Sequence, residues 1–139
     1  MNASVPHRHW WSPDQVSNAD LQALLGTAAA LNHARRRDRG WNPLRGRHIA
    51  LLCQGADEAA LTFQRAVNEL GGAVALLDAS DWQSTASERV PDSARMLGRL
   101  YDAIDCCGLP TPLVEQIEAH SGVPVFNGVA RPDHPLRQL

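Results

Sequence analysis

The sequence predicts an α/β fold: a three-layer α-β-α arrangement in which helices flank a four-stranded parallel sheet whose strands are joined by right-handed crossovers. Two observations lead there. Short apolar runs stand at residues 48–53, 73–77, 101–106 and 123–126, and the segments between them carry apolar residues at the helical period. Strands that alternate with helices are not hairpin partners, and parallel crossovers are right-handed in nearly all folds.

Residues 1–16, with His7, His9, Trp10 and Trp11, read as an N-terminal arm whose indoles pack against the domain or a neighbouring chain, and 17–139 read as one domain. Ser17, Asn18 and Asp20 offer cap and first-turn chemistry for a helix over 19–37, with Leu21, Leu24, Leu25, Ala28 and Leu31 on one stripe. Arg35, Arg36 and Arg37 suit the negative end of its dipole. Gly40, Pro43 and Gly46 break the connection that follows.

The first strand, 48–53, is apolar at four successive positions from Ile49 to Leu52, as a strand buried on both faces requires. A helix over 57–70 follows, carrying Ala60, Leu61, Ala66, Val67 and Leu70, and Gly71 and Gly72 end it. After the second strand, residues 78–91 turn polar and read as a surface loop. A helix over 92–100, a strand over 101–106, a crossover helix over 112–120 and a last strand over 123–126 complete the pattern. There is no internal repeat.

At 139 residues, 44% hydrophobic and 20% charged, the chain has the composition of one globular domain. A formal net charge of −2 supplies no general attraction for nucleic acid or anionic membrane, so neither is expected as a partner. All 13 basic residues are Arg, which excludes a lysine Schiff base within the chain. Three cysteines, two of them adjacent, imply no disulfide framework and fit a reducing cytoplasm. The first 14 residues contain no apolar signal core, and no stretch reaches membrane-spanning length.

A parallel sheet of this kind binds ligands at the carboxyl ends of its strands, beside helix amino termini. The segments to consider are 54–60, 78–88, 106–109 and 127–137, all four expected as loops.

The order of motifs resembles the carbamoyl-phosphate-binding domain of the aspartate and ornithine carbamoyltransferases. The run from Leu44 through Arg45, Gly46 and Arg47 to Leu52 is similar to the family's Leu-x-Gly-Lys approach to its first strand. Phe63, Ala66, Leu70, Gly71 and Gly72 resemble its next helix end, and Glu88, Asp92, Ser93, Ala94, Arg95 and Leu97 resemble its Glu-Ser-x-x-Asp-Thr-Ala-x-x-Leu helix. Tyr101, Asp102, Ala103 and Ile104 match its following strand. Val123, Pro124, Val125, Phe126, Asn127 and Gly128, then His134 and Pro135, resemble its Val-Pro-Val-Ile-Asn…His-Pro-x-Gln segment.

The resemblance implies a site for carbamoyl phosphate, and the residues at that site depart from it. The family's Ser-Thr-Arg-Thr-Arg falls on Ala56, Asp57, Glu58, Ala59 and Ala60, which offer no hydroxyl and no guanidinium to a phosphate. The Arg that ends the family's third strand falls on Cys107, and Arg137 stands where its final Gln is expected, leaving His134 as the surviving polar contact. A neighbouring subunit's Ser and Lys complete the aspartate branch's site; Ser84, in the polar segment with Glu88, matches the Ser, and the Lys has no counterpart. The resemblance also implies a second, amino-acid-binding domain, expected to be absent.

No catalytic residue, cofactor or metal is therefore assigned. Asp57 and Glu58 read better as helix-start residues than as catalytic carboxylates, and Cys106 and Cys107 better as packing than as a redox or metal pair. The first expectation is a degenerate, inactive carbamoyltransferase-like domain used in assembly or regulation, as a homo-oligomer, on the family's pattern a trimer, or bound to a full-length carbamoyltransferase. The alternatives are a small-metabolite binder or enzyme using the altered strand-end pocket, with Glu58, Asp78, Glu88, His134 and Arg137, and residual carbamoyl or carboxyl transfer.

Overall fold

The computed structural model describes residues 17–36, 42–55, 57–129 and 131. The histidine and tryptophan cluster near the N-terminus, Ala56, His134 and Arg137 lie outside them, as do the side chains of Arg35, Arg36 and Arg37.

Helix α1 spans Asn18–Arg36. Its start is a reciprocal cap: the Asp20 N–H donates to Ser17 Oγ at 3.1 Å, and the Ser17 N–H donates to Asp20 Oδ2 at 3.3 Å. Its apolar stripe is only half covered, with Leu21, Leu24 and Leu31 partly buried and Leu25 exposed. Strand β1, His48–Cys53, leads into α2, Glu58–Glu69, then β2, Ala73–Asp78. Gly71, at φ 92, lets the chain leave α2 by a left-handed turn that a Cβ would strain. Next come α3, Ala79–Gln83, a 3₁₀ turn at Ser87–Arg89, and α4, Val90–Leu100. Strand β3, Ala103–Cys106, helix α5, Thr111–Ser121, and strand β4, Val125–Phe126, close the order.

The four strands are parallel in the order β2-β1-β3-β4, so sequence-distant β1 and β3 are neighbours at the centre. Side chains alternate across β1 and create two cores. On one face Ala50 and Leu52 join Ile104, Cys106 and Val125 beneath α4 and α5, through Val90, Ala94, Leu97, Val114 and Ile117. On the other, Leu51 and Cys53 meet Ala60 of α2, with Phe63, Val74 and Cys107 at the margin. This is the expected three-layer arrangement. The α4–α5 crossing is close because residue 98 is glycine: a Cβ there would fall 1.7 Å from the Ser121 carbonyl oxygen.

Several expected bounds shift. Residues 78–91 are not one loop, because Asp78 caps α3 and a 3₁₀ turn precedes α4. The third strand begins at Ala103 instead of 101: the Asp102 carboxylate accepts the His48 N–H at 2.8 Å and pins the chain beside β1 before the ladder starts. The fourth strand is cut to two residues, since Pro124 has no N–H to give and contributes only its carbonyl, to Ile104. The 54–60 segment is likewise not all loop, because α2 begins at Glu58.

Candidate functional site

Beyond Cys53 the chain turns through Gln54 and Gly55 into α2. Gly55 holds φ 111, a conformation that L side chains rarely adopt, and this lets the strand end fold straight into a helix start. Asp57 is the N-cap: its Oδ1 accepts the Ala60 N–H at 2.8 Å, and its carbonyl accepts the Leu61 N–H. A donor that a helix amino terminus would offer to an external anion is thus taken by the protein's own carboxylate. Glu58 adds a second exposed carboxylate in the first turn, Ala59 is half-buried, and Ala60 is buried in the core. Thr62, the one hydroxyl nearby in α2, donates back to the Glu58 carbonyl.

Opposite this helix start lies the end of β3. Asp105 is a carboxylate only 1% exposed, and its Oδ1 accepts the N–H groups of Gly128 and Val129 at 2.9 and 3.0 Å. The Cys107 thiol donates to its Oδ2 at 3.7 Å. Burial, then the charge of Asp105, pushes the Cys107 thiol far above its ordinary value, and the same two causes act on Cys106. The Cys53 thiol is also raised, by burial first and by the charges of Asp57, Asp78 and Asp105; a backbone hydrogen bond from Gly55 pulls the other way.

Asp57 and Cys107 line one open cleft of about 470 Å³, together with Cys53, Gly108 and Arg131. A second cleft of about 730 Å³ shares Cys53 and Gly55 and is bounded by Leu76, Asp78 and Ser80. Asp78 accepts from the Ser80 hydroxyl at 2.7 Å and from its N–H at 2.9 Å, and these bonds hold its carboxyl below the usual range. Ser84 and Glu88 line neither cleft: the Ser84 hydroxyl is turned back onto the Asp81 carbonyl, and Glu88 is exposed on the 3₁₀ turn. The structure therefore joins Asp57 and Cys107 and leaves Ser84 and Glu88 apart.

Two features escape a reading of the sequence for motifs. One is Asp105, whose signal was an acidic residue inside an otherwise apolar strand. The other is the nearness of Cys53 to Cys107, which depends on the strand order. Among the described residues no group of three or more His, Cys, Asp or Glu side chains is arranged to hold a metal ion. No described helix is long and apolar enough to cross a membrane.

A family model described as aspartate/ornithine carbamoyltransferase, carbamoyl-P binding domain, matches residues 8–139. The chain is 33% identical over 140 residues to the ornithine carbamoyltransferase of Cutibacterium acnes, covering 100% of this chain and 42% of that protein. It is 32% identical over 139 residues to that of Streptococcus pneumoniae, covering 99% and 41%. Among solved structures, the ornithine carbamoyltransferase from Pyrococcus furiosus superposes with a TM-score of 0.77 at 27% identity, covering 88% of this chain and 39% of that one. The Burkholderia thailandensis ornithine carbamoyltransferase gives 0.76 at 25%, covering 88% and 42%. The chain spans about two fifths of the length of the curated relatives it matches.

Proposed function

The chain belongs to the aspartate/ornithine carbamoyltransferase family through its carbamoyl-phosphate-binding domain, and on that premise we propose that it is a degenerate form of the domain, inactive in carbamoyl transfer and used in assembly or regulation. The observation that carries the reading is the Asp57 cap. A phosphate dianion needs several charge-assisted donors converging at a positive helix end. At this helix end Asp57 occupies the Ala60 N–H at 2.8 Å, Glu58 adds a like charge, and Cys107 stands where the family's Arg is expected. An incoming dianion meets repulsion and no guanidinium from the aligned positions.

Titration calorimetry with carbamoyl phosphate, and separately with inorganic phosphate, tests this. The expected result is no saturable heat at millimolar ligand; saturable binding of carbamoyl phosphate overturns the reading. The assembly role draws on exposed apolar side chains, among them Met96 and Leu100 at 63% and 62% on α4 and Leu25 at 46% on α1. It predicts a homo-oligomer, a trimer on the family's pattern, or a complex with a full-length carbamoyltransferase, in a reducing cytoplasm. Light scattering that finds a monomer indifferent to such an enzyme removes it.

A second reading, a repurposed metabolite binder, is favoured by the open cleft between β1 and β2, which retains Asp78 and Ser80 at its rim. It predicts a thermal shift with a cationic or zwitterionic metabolite, and a flat response across a metabolite panel disposes of it.

A further inference from the structure

Two thiols meet on the sheet face that carries α2. In the parallel ladder Leu52 stands opposite Cys106 as the last pair, closed by the Cys107 N–H donating to the Leu52 carbonyl at 2.8 Å. Cys53 and Cys107 are the residues that follow that pair on the two strands. Alternation along the strands puts both on the face with Leu51, while Cys106 points into the opposite core. Both line the same cleft, Cys53 being 8% exposed and Cys107 partly buried.

We propose that Cys53 and Cys107 form a two-thiolate site for a soft, low-coordinate cation of the copper(I) class. The donor set selects it: two thiols, Cys53 and Cys107, line one cleft. A structural zinc ion asks for four donors, and no group of three converges among the described residues. Thiolate ligands select soft ions over magnesium or calcium.

Binding exchanges protons for metal: two thiols and one M⁺ give an anionic bis-thiolate, and two protons pass to solvent. No electron is transferred. The product carries one negative charge. Arg131 in the same cleft carries the opposite charge, and Asp57, Asp78 and Asp105 oppose it. Because burial keeps both thiols protonated, affinity rises with pH.

The test is anaerobic titration of the whole chain with copper(I) against a competing chelator, read by near-ultraviolet thiolate-to-copper absorption. One equivalent is expected to bind, with at least 100-fold weaker binding in Cys53→Ser and in Cys107→Ser and no change in Cys106→Ser. Equal loss in Cys106→Ser, or retention in either of the others, overturns the proposal. A second measurement needs no variant: one equivalent of silver(I) is expected to shield Cys53 and Cys107, located by peptide mapping, from alkylation in the unmodified chain. Unshielded Cys53 and Cys107 overturn it equally. Neither result depends on whether carbamoyl phosphate binds, which calorimetry decides separately.

Discussion

The carboxylate of Asp105, only 1% exposed, accepts the Gly128 N–H at 2.9 Å and so ties the end of β3 to the chain that leaves β4. Val129 donates to the same oxygen at 3.0 Å. Asp105→Ala strands the buried Gly128 N–H and the partly buried Val129 N–H, a buried donor costing on the order of 1–3 kcal/mol when unpaired. Urea denaturation is expected to show a loss of roughly 3 kcal/mol, with Asp105→Asn, which keeps one acceptor oxygen, losing less. A loss below about 1 kcal/mol would mean that the segment after β4 is held by other contacts.

Gly98→Ala tests the crossing of α4 and α5. The added methyl would lie 1.7 Å from the Ser121 carbonyl oxygen, which is backbone and cannot swing aside, so the helices must separate. In an exposed helix the change would stabilise by up to ~1 kcal/mol. Here a loss of at least 2 kcal/mol is expected, on the scale of overpacked cores, read as a fall in the melting temperature.

Asp57→Ala removes the α2 cap. Such losses run at about 1 kcal/mol, and that decrease is expected in chemical denaturation. Freeing the Ala60 N–H is not expected to create phosphate binding, because the helix start supplies no hydroxyl or guanidinium, Glu58 keeps a like charge there, and Arg131 alone of the cleft's lining residues is cationic. Millimolar phosphate should leave the melting temperature of the variant unchanged.

The buried thiols give the alkaline limb of stability a sign. Folding raises the thiol of Cys106 far above its ordinary value of 9.0. The unfolded chain therefore deprotonates first. The stability contributed by keeping the thiol neutral is complete below pH 9 and is lost as pH rises beyond it. One such thiol steepens the decline by up to about 1.4 kcal/mol per pH unit. Cys106→Ala starts from a lower stability and is expected to decline less steeply between pH 9 and 11; parallel curves would sink the assignment.

The sheet and most helices were legible because their signals are local. Strand β1 is an uninterrupted apolar run, and Asp57 sits at a helix start that its own side chain caps. What escaped is either short or non-local. Helix α3 has five residues, held by Asp78 and Ser80, and is too brief to show a period. Tyr101 and Asp102 extend the apolar run of β3 in sequence, yet Asp102 is spent on the His48 N–H. Asp105 carries no local signal beyond interrupting an apolar strand, because its partners, the Gly128 and Val129 N–H groups, lie more than 20 residues away. In the sequence the conspicuous pair is Cys106 and Cys107, whose side chains point to opposite faces; the pair that shares a cleft, Cys53 and Cys107, is 54 positions apart in the chain and comes together only because β1 lies beside β3.

The two cores are unequal, and this has a kinetic consequence. Beneath α4 and α5 twelve buried residues interlock, whereas on the α2 side the cluster holds Leu51, Cys53 and Ala60, with Val67 buried apart from it, among the described residues. Cooperative opening starts where least apolar surface must be exposed. Amide protons of α2 should therefore exchange through a partial unfolding that leaves α4 and α5 protected, so that the helix bearing Asp57 lifts from the sheet while the remaining layers hold. Molecules inaccessible to the closed chain would reach Cys53 during those openings, on a clock set by the thinner core.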